Sequence, residues 1–166
     1  MTDLMFGRRV AKTSARFAAL GTIDELNAAI GLARAADAEG WHTQILDRVQ
    51  NVLFGLMGQL ACLPEDEAKY LEKGYAVVRE EDLDWLTETA KRIEAEGVRF
   101  THWAVPGEDG SMARAHLDFA RTVARRAELH VLVLHEEQGH VPEVVRLFMN
   151  RVSDLLWILA RSGQKK

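Results

Sequence analysis

Apolar residues recur at intervals of three and four along most of this chain, and short clusters of glycine, proline and small polar residues separate the periodic stretches. Side chains three and four apart share one face of an α-helix, so the pattern predicts a succession of helices. Leu26, Ala29, Ile30, Ala33 and Arg34 form the first series, with Gly40 as its stop. Thr22 and Glu25 have the spacing of a capping box, which places the start of that helix at Thr22. A second helix is predicted from about Trp41 to Cys62, its inner face made by Ile45, Val49, Val52, Leu53, Leu56 and Leu60, and Leu63-Pro64 ends it. Pro64 to Arg79 reads as a loop in which Tyr75 to Val78 is extended. Asp82 to Glu96, closed by Gly97, has Leu83, Leu86, Ala90 and Ile93 on one side only, the pattern of an outer helix.

After Pro106, Gly107 and Gly110, Ser111 is the expected N-cap of a long helix reaching Gln138, and Gly139 ends it. Pro142 suits the first turn of a last helix that carries Val145, Phe148, Val152, Leu155, Trp157 and Leu159 to a stop at Gly163. The fold class is therefore all-α, a five-helix bundle, and no boundary divides residues 1–166 into more than a single helical domain.

Composition narrows the function without naming it. The 166 residues are 48% hydrophobic and 28% charged, a globular balance long enough for one core. The formal net charge of −4 argues against a nucleic-acid partner or an anionic membrane surface, so any anion site must be local. No apolar run is long enough for a membrane span or a secretory signal, and the expected location is the cytoplasm. Cys62, between apolar neighbours, is the only cysteine; it reads as a buried structural thiol.

Polar residues break the core pattern in three places. On the fourth helix Arg121, Arg125 and Glu128 share a face at spacings of four and three, with Arg126 about a quarter turn away. On the last helix Asn150, Ser153, Asp154 and Trp157 make a narrow polar stripe in a segment that is otherwise apolar nearly all round, the pattern of a central helix. Asn150 and Asp154 need partners if buried, and the arginines of the fourth helix are the expected ones. The first helix carries Asp24 and Asn27, preceded by the basic segment Gly7-Arg8-Arg9-Val10-Ala11-Lys12. Guanidinium forks and a lysine suit phosphate oxygens, and carboxylates suit sugar hydroxyls or hydrated Mg²⁺. These residue types point to a nucleotide polyphosphate, or else to ion pairs between subunits.

Other chemistries lack their patterns. The six histidines form no H-E-x-x-H, and no Glu-x-x-His pairs repeat as a di-iron bundle requires. There is no phosphate-binding glycine loop of the G-x-x-x-x-G-K type, no G-x-G-x-x-G and no nucleophile elbow.

The ordered segments Gly7 to Lys12, Arg16, Gly21-Thr22-Ile23-Asp24-Glu25-Leu26-Asn27, Trp103-Ala104-Val105-Pro106-Gly107, Ala120-Arg121-Thr122-Val123-Ala124-Arg125-Arg126-Ala127-Glu128 and Asn150-Arg151-Val152-Ser153-Asp154 resemble the propanediol-utilisation (PduO) type of ATP:cob(I)alamin adenosyltransferases. The likeness runs over residues 4–161. It implies a five-helix bundle assembled as a homotrimer, with sites between protomers that bind ATP with Mg²⁺ and a cobalamin or other corrinoid. In that reaction Co(I) attacks the 5′ carbon of ATP and tripolyphosphate leaves, so no protein nucleophile is needed. A corrinoid reductase is the implied partner.

By the same likeness Lys12 and Arg125 hold phosphates, with Arg126 nearby, and Glu128 and Asn150 lie at the nucleoside end. Asp24 and Arg121 form an ion pair between subunits beside the site and, with Arg125, make up its catalytic set. Trp103, where the family has phenylalanine, and Asp154 face the corrinoid; the rival expectation for Trp103 is a loop aromatic packed on the bundle. The chain departs from the family in lacking its opening T-G-D-x-G-x-T segment and its C-terminal extension, in Asp118 where the family has histidine, and in Leu129 where it has arginine. Those departures predict a weaker phosphate grip, and they keep a second function open: a non-catalytic corrinoid- or nucleotide-binding protein on the same trimeric scaffold.

Overall fold

A computed structural model describes residues 1–98 and 103–162. Among these residues the elements, in chain order, are β1 (Thr2–Asp3), β2 (Arg9–Val10), α1 (Ala15–Ala36), α2 (Thr43–Ala61), α3 (Glu67–Glu72), α4 (Glu80–Ala95), α5 (Met112–Gln138) and α6 (Glu143–Arg161). The five long helices are the predicted ones, and α3 is a short addition inside the segment read as loop. Its six residues are too few to show a helical period.

Helix α1 starts well before the expected position. Ser14 is its N-cap, the hydroxyl accepting from the Phe17 N–H at 3.3 Å. Thr22 lies inside the running helix, where its Oγ1 donates back to the Ala18 and Ala19 carbonyls at 3.0 and 3.1 Å. The capping-box spacing at Thr22 and Glu25 therefore marks no helix start. At α5 the expected ends hold: the Ser111 hydroxyl accepts from the Arg114 N–H, and Gly139 closes the helix at φ 67°. Pro142 stands at the N-cap of α6, one residue before its first turn, and the expected stop at Gly163 lies outside the described residues.

The contacts of Arg16 with Gln138, Thr22 with His130 and Glu25 with Arg126 run in opposite senses along α1 and α5, so the two helices are antiparallel. Glu128 with Asn150 and Asp118 with Arg161 show the same for α5 and α6. Helix α6 is the central one: Val145, Phe148, Met149, Val152, Leu155, Leu156 and Leu159 are all fully buried. Each such side chain contributes about 2 kcal/mol of burial. Helix α4 buries only Leu86, Thr89, Ala90 and Ile93 and is the outer helix that its pattern predicts.

The connection from α2 to α4 crosses α2 closely. A Cβ on Gly58 would come within 2.7 Å of the Tyr70 hydroxyl, which itself donates to the Ala76 carbonyl at 2.8 Å. Glycine there lets the Tyr70–Val78 segment lie against the helix, and Val78 closes that side of the core. The β1–β2 hairpin was not expected from the sequence. Its turn holds Phe6 at φ 56°, and Arg8 ties it to Asp66 at 2.6 and 3.0 Å. No helix among the described residues is long and apolar enough to cross a membrane.

Candidate functional site

The polar stripes of α5 and α6 meet at their two ends, and each is longer than the sequence suggested. Asp118, Arg121, Arg125 and Glu128 follow at three, four and three residues on α5; Asn150, Asp154, Trp157 and Arg161 follow at four, three and four on α6. Because the helices are antiparallel, the ends of the stripes pair. At one end Asn150 Nδ2 donates to Glu128 Oε1 at 2.9 Å. At the other, Arg161 donates to both oxygens of Asp118, Nη1 to Oδ1 at 2.8 Å and Nη2 to Oδ2 at 3.1 Å. Ten residues of α5 separate the two anchors, about 15 Å at the helical rise. Between them lie Arg121 and Arg125.

These two arginines are the open part of the seam. Arg125 is exposed and makes no hydrogen bond or ion pair among the described residues. Arg121 has one contact, Nε to Asp118 Oδ1 at 3.4 Å, which leaves both Nη groups without a hydrogen bond there. A guanidinium with unused donors beside an apolar helix is a receptor for carboxylate or phosphate oxygens. Arg126 is committed elsewhere: it pairs with Glu25 across the α1/α5 junction.

The partners of the α6 residues differ from expectation. Asn150 meets Glu128 rather than an arginine of α5, and Asp154 pairs at 3.1 Å with Arg151 of its own helix. Both are exposed, so neither needed a buried partner. Asp154 also turns away from the cationic stripe, toward a groove of about 260 Å³ between α4 and α6 lined by Thr87, Lys91, Glu94, Arg151 and Trp157. Ser153 is buried and caps the Asn150 carbonyl of its own helix.

Asp24 is exposed on α1 and, like Lys12 before it, has no partner among the described residues. Asp24 and Arg121 do not meet within one protomer. Of the basic segment only Lys12 stays unengaged, since Arg8 pairs with Asp66 and Arg9 with Asp3. The Arg8 hydrogen bonds hold the Asp66 carboxyl below its usual range. Trp103 is 93% exposed, which overturns the expectation of an aromatic packed on the bundle. Cys62 is buried, and burial followed by the nearby Asp66 and Glu67 pushes its thiol pKa up, as fits a structural thiol.

Two residues of the seam escaped the sequence reading of function. Asp118 entered only as a departure from a family pattern, and Arg161 not at all. The available signal was the spacing, because each extends its helix's polar stripe by one step.

One outer surface is unusually apolar for its position. Leu32 on α1 and Phe119 and Leu129 on α5 are each about half exposed, at 51%, 49% and 57%, and they flank the Arg126–Glu25 pair. Ala18, Gly21, Glu25, Ala28 and Leu32 repeat at three and four along the exposed side of α1.

Known proteins share both the sequence and this architecture. The family model described as cobalamin adenosyltransferase matches residues 1–162. Corrinoid adenosyltransferase PduO of Salmonella typhimurium is 35% identical over 97% of this chain, which spans 46% of that relative. The chain thus covers about half of that longer protein. A corrinoid adenosyltransferase of Mycobacterium leprae is also 35% identical, over 96% of this chain and 84% of its own length. Among solved structures, a variant PduO-type ATP:corrinoid adenosyltransferase from Lactobacillus reuteri, complexed with cobalamin and ATP, superposes with a TM-score of 0.83 at 28% identity, covering 96% of this chain and 86% of that one. With a family match across nearly its whole length and the same helical bundle, this chain belongs to the cobalamin adenosyltransferase family.

Proposed function

We propose that this chain acts as a single domain that transfers the 5′-deoxyadenosyl group of ATP to the Co(I) of a corrinoid, in the cytoplasm and as a homotrimer. The observation that carries the reading is the open middle of the α5/α6 seam, where Arg121 and Arg125 present unused donors between two closed anchors. The relative from Lactobacillus reuteri is a complex with both cobalamin and ATP, which supports the same pair of substrates here.

Arg125 and Lys12 hold the phosphates of Mg-ATP, with Arg126 fixing the neighbouring turn through Glu25. Glu128 and Asn150, already hydrogen-bonded to each other, receive the nucleoside end. The Co(I) electron pair forms the bond to C5′ while the C5′–O bond breaks and its electrons leave on tripolyphosphate. Charge therefore grows on the departing phosphates, and fixed guanidinium groups there stabilise the transition state more than the ground state. No residue need accept a proton in this step.

Asp24 of one protomer meets one Nη group of Arg121 of the next, which leaves the other for the phosphates. The unpaired state of Asp24 within a protomer and the apolar surface of Leu32, Phe119 and Leu129 support an interface on the α1/α5 face. Trp103 and Asp154 serve the corrinoid: the exposed indole is free to cover a corrin face, and Asp154 edges a groove large enough for its periphery. A corrinoid reductase supplies the electron that makes Co(I).

Calorimetry with Mg-ATP and with hydroxocobalamin, followed by an anaerobic assay under chemical reduction, tests the proposal. Both ligands should bind, and the spectrum of adenosylcobalamin should appear with tripolyphosphate in equal amount. Corrinoid binding without transfer would leave a carrier on the same scaffold, and no binding of either ligand would reject the site.

A further inference from the structure

Asp118 is a buried carboxylate, 6% exposed, that gathers two arginines from different helices. Arg161 grips it with both Nη atoms, and Arg121 touches Oδ1 through Nε. Arg161 is itself fixed: its Nη1 also donates to the Trp157 carbonyl at 3.3 Å, its guanidinium lies 4.9 Å from the Trp157 ring, and only 11% of its side chain is exposed. Such a bidentate pair defines the carboxylate plane as well as its place. Arg121 touches the same carboxylate with 26% of its side chain exposed.

The charges do not cancel. Two guanidinium groups share one carboxylate, and Arg125 stands one turn further along α5 without a partner among the described residues. The excess positive charge therefore sits at the open middle of the seam. Held at Nε, Arg121 has fewer rotamers to lose when its Nη groups engage a ligand or a neighbouring protomer.

We propose that Asp118, locked by Arg161, is a positioning residue that holds Arg121 by Nε and leaves both Nη groups for the site. The inference rests on the reading of the seam as an ATP site, and it adds a residue that acts on ATP only through Arg121. A purely structural role, stapling α5 to α6, is the rival, and the two differ in what happens once Arg121 is gone.

Two measurements decide. Nitrogen-15 spectra of the arginine Nε–H groups, taken on the free 166-residue chain, should show a slowly exchanging Arg121 signal, assigned by its loss in Arg121→Met. Asp118→Asn should abolish that protection, because the amide keeps the side-chain volume but loses the charge and one acceptor. Calorimetry with Mg-ATP should then show Asp118→Asn weakening binding by about tenfold in the native background and by less than about twofold in the Arg121→Met background. An Arg121 Nε–H that exchanges as fast as an exposed arginine overturns the proposal, as does an equal loss of ATP affinity in both backgrounds. If the native protein binds no Mg-ATP, the ATP reading falls while the spectra still decide the Asp118–Arg121 link. Should Asp118→Asn fail to fold, Arg161→Lys keeps the charge and loosens the bidentate lock; the Arg121 signal should then exchange faster, and an unchanged rate overturns the proposal.

Discussion

Arg16 and Arg125 are both arginines on long helices with apolar neighbours, yet the bundle treats them in opposite ways. Arg16 is 0% exposed and has no carboxylate partner among the described residues. Its charge is met by carbonyls and an amide: Nη1 donates to Leu60 O at 2.6 Å and Cys62 O at 3.2 Å, and Nη2 to Gln138 Oε1 at 2.5 Å. Leu60 and Cys62 stand at the C-terminal end of α2 and Gln138 at that of α5, where the helix dipoles are negative. Burial still costs the cation, and it pulls the Arg16 pKa down. Arg125 has the reverse surroundings: among the described residues it is exposed and unpaired, and the neighbouring Arg121 keeps both Nη groups open. An arginine enclosed by helix ends ties the fold together; one left with unused donors at a seam is poised for a ligand.

Substitution should separate the two. Arg16→Met strands two carbonyls at the end of α2 and the side-chain amide of Gln138, and is expected to lower unfolding stability by about 3 kcal/mol, read from denaturant midpoints. Ligand affinity per folded molecule should barely move, and a stable Arg16→Met would break the contrast. Arg125→Ala should do the opposite, weakening Mg-ATP binding by about 1–3 kcal/mol in calorimetry while leaving the denaturation midpoint unchanged. Unchanged affinity would remove Arg125 from the site.

The smallest effect is one of pH, at two histidines beside opposite ends of α2. Burial, and then the nearby Arg16, lower the His140 pKa from 6.5, and burial likewise lowers that of His42. The unfolded chain therefore takes up protons that the folded one refuses, so stability is full above about pH 6.5 and falls as the pH drops toward the folded values. Denaturation midpoints measured from about pH 8 down to 5 should decline, and His140→Gln should flatten the slope. A midpoint that rises on acidification would refute the assignment.

The helix ends at Ser111 and Gly139 were legible because a cap is local chemistry, a hydroxyl or a left-handed glycine acting on residues three or four away. Thr22 misled for the same reason. Its spacing to Glu25 satisfies a local rule that the true start at Ser14 had already made unnecessary. The candidate site was half legible. Arg121, Arg125, Glu128, Asn150 and Asp154 stood out as polar breaks in apolar series, but their partners did not, and Asp154 faces α4 rather than α5.

From its residues alone the chain determined that five long segments are helical, where α5 begins and ends, and which faces carry charge, because each depends on neighbours within about one turn. Only the tertiary structure decided which charges are spent. Asp118 with Arg161, Glu25 with Arg126 and Arg16 with Gln138 join residues 43, 101 and 122 positions apart. No local pattern can specify such pairs, since they exist only after the core has set helix against helix. What those pairings leave over, the donors of Arg121 and Arg125, is what the packed bundle presents at the seam.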